Sequence, residues 1–262
     1  MKQLITKIIF ALMYVLLGVF ANAQSLDELM QKGDNYYKVF NHQSALDTYL
    51  NADSLYPGNW VLMWKISRAY VDLAEKMPQE TGEEEEAKKL EFDKALFYAD
   101  SSVKLAPNEA ETYVRRAIAS GKIALFEGIF SAIGSVNDVR DDSEHAIELG
   151  NGGNYTQALA HYILGRAHYK VCEKAYLLRL PLGLGWGDME DSIRELEMAV
   201  KLRPNFRMFY LALAKSYFEE DEYEKAKETL TKLEKAPFVD EDDDQVLEEA
   251  KELMVKVDEE LE

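Results

Sequence analysis

Large apolar side chains recur along this chain at intervals of three and four residues. Met63, Ile66 and Tyr70 make one such stripe, Tyr210, Leu213 and Tyr217 another, and Val246, Ala250, Leu253, Met254 and Val257 a third. That spacing puts the apolar residues on one face of an α-helix, and no stretch reads as a strand. The pattern predicts two alternating sets of helices. The first helices cover 25–39, 59–75, 108–126, 154–178 and 206–219; the second cover 42–55, 86–105, 135–149, 188–202 and 222–235. A final helix over 242–260 carries acids opposite its stripe, with more acid over 240–244 near its N-terminus, where the helix dipole favours it.

A longer rhythm lies over the helical one. Gly33, Tyr36, Ala45, Tyr49, Ala52 and Pro57 mark a unit that is echoed by Ala95 and Pro107, by Leu164, Gly165, Ala199 and Pro204, and by Ala226. Two antiparallel helices cannot bury both apolar faces alone, so copies must stack and share a core. Only small residues fit where paired helices cross closely. Gly33, Gly165 and Ala214 take that place on first helices, and Ala45, Ala95, Ser192 and Ala226 on second helices. Tyr36, Tyr70, Tyr217 and His168 fill the space between helices, and Pro57, Pro107 and Pro204 stop the second helices.

These residues resemble the tetratricopeptide repeat. Five copies are placed at 26–59, 60–109, 110–153, 158–206 and 207–240. The resemblance implies an all-α, helix–turn–helix repeat solenoid over 24–262 with a capping helix at 242–260. The middle copies exceed 34 residues, and the third is the poorest match, with Val139 and Ser143 at the crossing. Their lengths, the Leu164-Gly165-Arg166 run and the Leu180-Pro181-Leu182-Gly183 loop resemble the regulator of microtubule dynamics family over about residues 60 to 258. That likeness implies fold and relatedness; microtubule binding is not expected to carry over to a secreted bacterial protein.

Secretion is read from residues 1–23. A basic start with Lys2 and Lys7, an apolar stretch over 8–20 and Ala21-Asn22-Ala23 together read as a secretory signal peptide. The expected location is the periplasm of a Gram-negative bacterium, with no stable membrane span after cleavage. Net charge is −18, or −20 once Lys2 and Lys7 are gone. Such an acidic surface argues against nucleic acid, whose phosphates need basic partners, and against docking on anionic lipid. The single Cys172 excludes an internal disulfide.

Three inserted segments stand out. Residues 78–86 read as a solvated acidic loop, 126–134 as an apolar segment packed between helices, and 181–187 as a glycine-rich loop in which Trp186 covers a repeat edge. The last lacks the Gly-Lys-Ser/Thr ending of a phosphate loop. No catalytic motif appears, so the chain is read as a non-enzyme without cofactor or metal. An alternative, metal-binding or enzymatic reading rests on His161, His168 and Cys172, which offsets of 7 and 4 put on one helix face. A third reading is self-assembly through the glycine–tryptophan loop.

The family pattern also implies a binding groove, lined by set positions of the first helices. Mapped onto this chain, they include Tyr37 and Lys38 in copy one, Trp64 and Arg68 in copy two, Tyr162, Arg166, Tyr169 and Lys170 in copy four, and Lys215 and Phe218 in copy five. The full set of positions holds six basic and five acidic residues, so it lacks the negative excess of the whole chain. Aromatic residues and Arg are enriched at interface centres. The expectation is a scaffold that holds an extended or helical peptide, with acidic groups meeting Arg166, Lys170 and Lys215. Asp34 stands where a carboxylate clamp needs an amide, so a C-terminal carboxylate is not the expected ligand.

Overall fold

A computed structural model describes residues 24–262, so the signal-peptide reading of residues 1–23 lies outside the described residues. The described residues form twelve α-helices and one short 3-10 turn, with no strand among them. They are α1 (Leu26–Lys38), α2 (His42–Leu55), α3 (Trp60–Glu75), α4 (Gly82–Leu105), α5 (Ala110–Glu127), α6 (Ile133–Leu149), α7 (Gly153–Cys172), α8 (Tyr176–Arg179), α9 (Met189–Leu202), α10 (Arg207–Glu219), α11 (Tyr223–Lys235) and α12 (Asp243–Leu261). The 3-10 turn (Leu180–Leu182) follows α8 directly. None of these helices is long and apolar enough to cross a membrane.

Two compact units result, one ending at Pro57 and one running from Gly58 to Glu262. The first contains α1 and α2. Ser25 and Glu28 form a reciprocal capping box at the start of α1, and the Asn41 side chain accepts from the Ser44 amide at the start of α2. The crossing is as tight as the sequence implied: a Cβ added to Gly33 would stand 2.3 Å from the Tyr49 ring. The Tyr49 hydroxyl then reaches Asp34 at 2.6 Å.

In the second unit the paired helices are α3 with α4, α5 with α6, α7 with α9, and α10 with α11. The first helices α3, α5, α7 and α10 touch in succession, and α12 packs on both α10 and α11. This is the tetratricopeptide-like solenoid with its cap. Proline explains the ends of three second helices. Tyr56, Ala106 and Arg203 precede Pro57, Pro107 and Pro204, and all three adopt nearly the same conformation, with φ between −133 and −141° and ψ between 64 and 76°. A proline ring excludes the helical conformation from the residue before it. Tyr113 and Tyr210 each donate to the carbonyl of the proline six residues earlier, Pro107 and Pro204, at 3.0 Å.

Copy three ends differently. Gly150 closes α6 in the left-handed conformation at φ 64°. Next to it, Asn151 accepts from the Ala110 amide at 2.8 Å and donates to the Asn108 carbonyl at 2.7 Å, which caps α5. Its helix crossing is also shifted: Gly121 lies 3.5 Å by its ideal Cβ from Val139, and Ser143 is fully buried.

Two boundaries differ from expectation. The acidic segment read as a loop over 78–86 is helical from Gly82, because Thr81 and Glu84 form a capping box and Glu83, Glu84 and Glu85 occupy the favoured first turn. The helix read over 154–178 is broken: α7 ends at Cys172, and Ala175 is extended at φ −53°, ψ 133° before α8. Buried Arg179 holds the new course by donating to the carbonyls of Leu184 at 3.1 Å and Gly187 at 2.7 Å. The 126–134 segment does pack inward, with Ile129 and Ala132 buried beside Leu184 and Val171.

Copy four crosses closest at Gly165. An added Cβ there would stand 2.7 Å from Leu196 and 3.0 Å from the Ser192 carbonyl. Ser192 donates to the Gly165 carbonyl at 2.8 Å and shares a 3.0 Å bond with Ser216 on α10. Because the backbone oxygen cannot retreat, Gly165→Ala should destabilise the chain by about 1–3 kcal/mol, the usual cost of overpacking. Urea unfolding of the two proteins measures this directly.

Candidate functional site

The expected groove residues divide between the units. Tyr37 and Lys38 end α1 in the first; Tyr37 is half-buried with its ring edge-on to His42 at 5.0 Å, and Lys38 is exposed. The other eight lie on the first helices of the second unit.

Trp64 of α3 sits among cations. Arg68 lies 5.1 Å, Lys65 4.9 Å and Arg115 of α5 5.0 Å from its ring centre. Such contacts draw on the negative face of the indole. Arg115 in turn donates to Glu111 at 2.7 Å, and Glu111 accepts from Thr156 of α7 at 2.5 Å. Burial pushes the Glu111 carboxyl up, but Arg115, Thr156 and Arg68 together hold it below the ordinary range.

A second group gathers around Arg166 on α7. Its guanidinium donates to the Tyr162 hydroxyl at 3.0 Å, while the Tyr162 ring packs on Phe209 with centres 4.8 Å apart. Tyr162 first, then Glu75 and Glu249, raise the Arg166 guanidinium further above its already high ordinary range. Lys215 of α10 pairs with Glu249 of α12 at 2.7 Å. Lys122 of α5 pairs with Glu75 at the end of α3, and Lys76 pairs with Glu241 before α12. Asp242 lies within the fields of Glu75, Lys76 and Lys122. Nearby, Tyr169 bonds to Glu219; burial first and that carboxylate second push its phenol up to about 12. Lys170 pairs with Glu173 at 2.7 Å, and Phe218 packs edge-on to Tyr223 at 5.5 Å.

The structure thus brings Tyr162, Arg166 and Lys215 to one charged locality and leaves Lys170 and Phe218 with partners on their own side. Sequence reasoning missed Glu75, Lys76, Glu241, Asp242 and Glu249. No local motif marks them, since Lys76 and Glu241 are 165 residues apart.

A separate cleft of about 590 Å³ opens where α6, α7 and α9 meet the glycine–tryptophan loop. Trp186 forms one wall, fixed by donation to Asn137 at 3.0 Å, with Arg140 5.2 Å over its ring and His168 edge-on at 5.1 Å. Its covering of the junction between copies is what the sequence implied. His161 meets Glu195 at 2.6 Å. His168 accepts from the Asp188 amide at 3.2 Å, so its other ring nitrogen carries the proton in the neutral form. Cys172 faces Arg179 at 3.8 Å, and burial raises its thiol. The three residues of the metal reading therefore each turn to a different partner. Among the described residues, no group of three or more His, Cys, Asp or Glu side chains is set to hold a metal ion.

This class of fold is shared with solved structures. A thermophilic TPR protein from Thermus thermophilus matches with a TM-score of 0.58 at 16% identity, over 90% of this chain and 99% of its own. Yeast Tom70 matches with a TM-score of 0.55 at 14% identity, over 88% of this chain and 40% of its own. Within that class, the chain belongs to the regulator of microtubule dynamics protein 1-3 family, whose profile matches residues 25–258. It is 25% identical to regulator of microtubule dynamics protein 3 of Rattus norvegicus, over 88% of this chain, and spans about half of that relative's length (48%). It is 26% identical to regulator of microtubule dynamics protein 1 of Bos taurus, over 92% of this chain and 74% of the relative.

The cleft yields a pH prediction. Burial holds the His168 imidazole below the ordinary histidine range. A depressed histidine stabilises the fold fully above its unfolded value, about 6.5, and loses that contribution as pH falls from there towards the folded value. Burial would raise Glu195, but His161 and Arg194 hold it below the ordinary range. Its contribution is present above about 4.3 and is lost as pH falls through the lower folded value. Urea unfolding at stepped pH should show both losses, and His168→Gln should remove only the one that begins near 6.5.

Proposed function

We propose that this protein is a non-catalytic scaffold that binds a protein or peptide partner along the first helices of its second unit, working in the periplasm once residues 1–23 are removed. The observation that carries the reading is the row of cations, one from each first helix: Lys76 at the end of α3, Lys122 on α5, Arg166 on α7 and Lys215 on α10. In a chain of net charge −18, such a row gathers cations on one side, where facing carboxylates balance it and the acidic excess of the chain is absent. Tyr162 and Tyr169 lie on α7 on either side of Arg166 in the sequence and add partly buried aromatic surface. Together they suit a segment with acidic and apolar side chains, recognised by shape and charge with no bond made or broken. Family membership and the repeat fold support a binding role.

The test is capture of neighbours by crosslinking in the native compartment. Replacing Lys76, Lys122 and Lys215 together by alanine should remove the captured partner and change the thermal melt little, because all three side chains are partly exposed and exposed ion pairs contribute little to stability. An unaltered capture profile overturns the reading, and export is checked separately by locating the processed chain.

A further inference from the structure

The acids that neutralise the cation row have a common origin. Of the four carboxylates concerned, Glu241, Asp242 and Glu249 all come from the segment that leads into and begins α12, and only Glu75 comes from a first helix. This segment is held in place by features that have nothing to do with the row. Arg207 donates twice to the Ala236 carbonyl, at 3.0 and 2.7 Å, and covers the Phe238 ring at 3.7 Å. Buried Asp243 accepts from the amides of Val239 at 2.6 Å and Asp240 at 2.8 Å. The turn so fixed points its acids back across copies two to five.

The segment is also electrostatically crowded. Burial first, then Glu241 and Glu75, push the Asp242 carboxyl up, and burial does the same to Asp240. The ion pairs themselves are partly exposed, with side chains 50% and 20% accessible in Lys76–Glu241, and 39% and 40% in Lys215–Glu249. Pairs of that kind are weak and screened by salt. The apolar seat of α12 is separate from them: Ala250, Leu253 and Val257 pack on α10 and α11 with Leu230 and Leu233. The acids can therefore leave the row without unseating the cap.

We infer that residues 241–249 act as a built-in competitor, an acidic segment that occupies the partner-binding row and must yield it to an acidic segment of the partner. The inference rests on the binding reading above and specifies both the partner's chemistry and the regulation of access. A site covered nine-tenths of the time shows an affinity about tenfold below its intrinsic value.

The experiment uses the chain as it exists, with a fluorescent synthetic peptide of this protein's own residues 239–250 as probe. Binding is measured by anisotropy at low salt. The variant Glu241→Gln, Asp242→Asn, Glu249→Gln keeps the apolar seat of the cap and should bind the peptide about tenfold more tightly than the unaltered protein. Adding Arg166→Gln and Lys215→Gln to that variant should abolish the gain. Equal affinity for the unaltered protein and the triple variant overturns the competition and leaves the scaffold reading standing. Binding by neither protein shows that the row does not accept acidic segments and overturns the inference; the capture experiment then decides independently whether a partner binds elsewhere.

Discussion

A pair of antiparallel helices has two apolar faces and only one neighbour in the pair, so one face of each pair must be covered by the next. Everything in the second unit follows from that constraint. It forces the first helices α3, α5, α7 and α10 into succession. It demands small residues where partners cross, most visibly at Gly165 against Ser192 and Leu196. It also needs a terminal helix for α10 and α11, which α12 supplies with Ala250, Leu253 and Val257. The row of cations is a by-product, because stacking brings equivalent positions of successive copies to one side.

Much of the fold was legible because the physical demands are local. A proline removes the helical option from the residue before it, so Pro57, Pro107 and Pro204 mark three helix ends two residues ahead of them. Glycine and alanine mark crossings because nothing larger fits. The two copies of near-consensus length even share a turn: Phe40 and Asp221 take the left-handed conformation at φ 59° and 56°, with the same hydrogen bonds to the preceding helix. Legibility failed where one local signal was weighed against another. Nine residues rich in Glu looked like a solvated loop, yet Thr81 and Glu84 cap a helix there. Copy three looked degraded because Val139 and Ser143 stand at its crossing, where Gly121 on α5 meets Val139 and Ser143 is buried.

The candidate site was legible by half. Family positions brought out Tyr162, Arg166 and Lys215, which do lie together, but they said nothing of the carboxylates facing them. Glu249 sits on a helix read as a cap with a polar outer side, and Glu241 precedes it in a run of acids that seemed to serve only the helix dipole. Only the return of the chain across four copies places them opposite Lys76 and Lys215. The His161, His168 and Cys172 stripe shows the opposite error of reading from spacing alone. The stripe exists, but Glu195, the Asp188 amide and Arg179 draw its members to different tasks.

Ser192 has a wider consequence than its size indicates. Its hydroxyl joins the Gly165 carbonyl on α7 to Ser216 on α10, a three-helix link that spans the boundary between copies four and five and is wholly buried. In a linear array, such a link sets how far a local opening spreads. Parting copy five from copy four must therefore break a buried hydrogen bond as well as apolar contacts, and it leaves a buried hydroxyl without that partner.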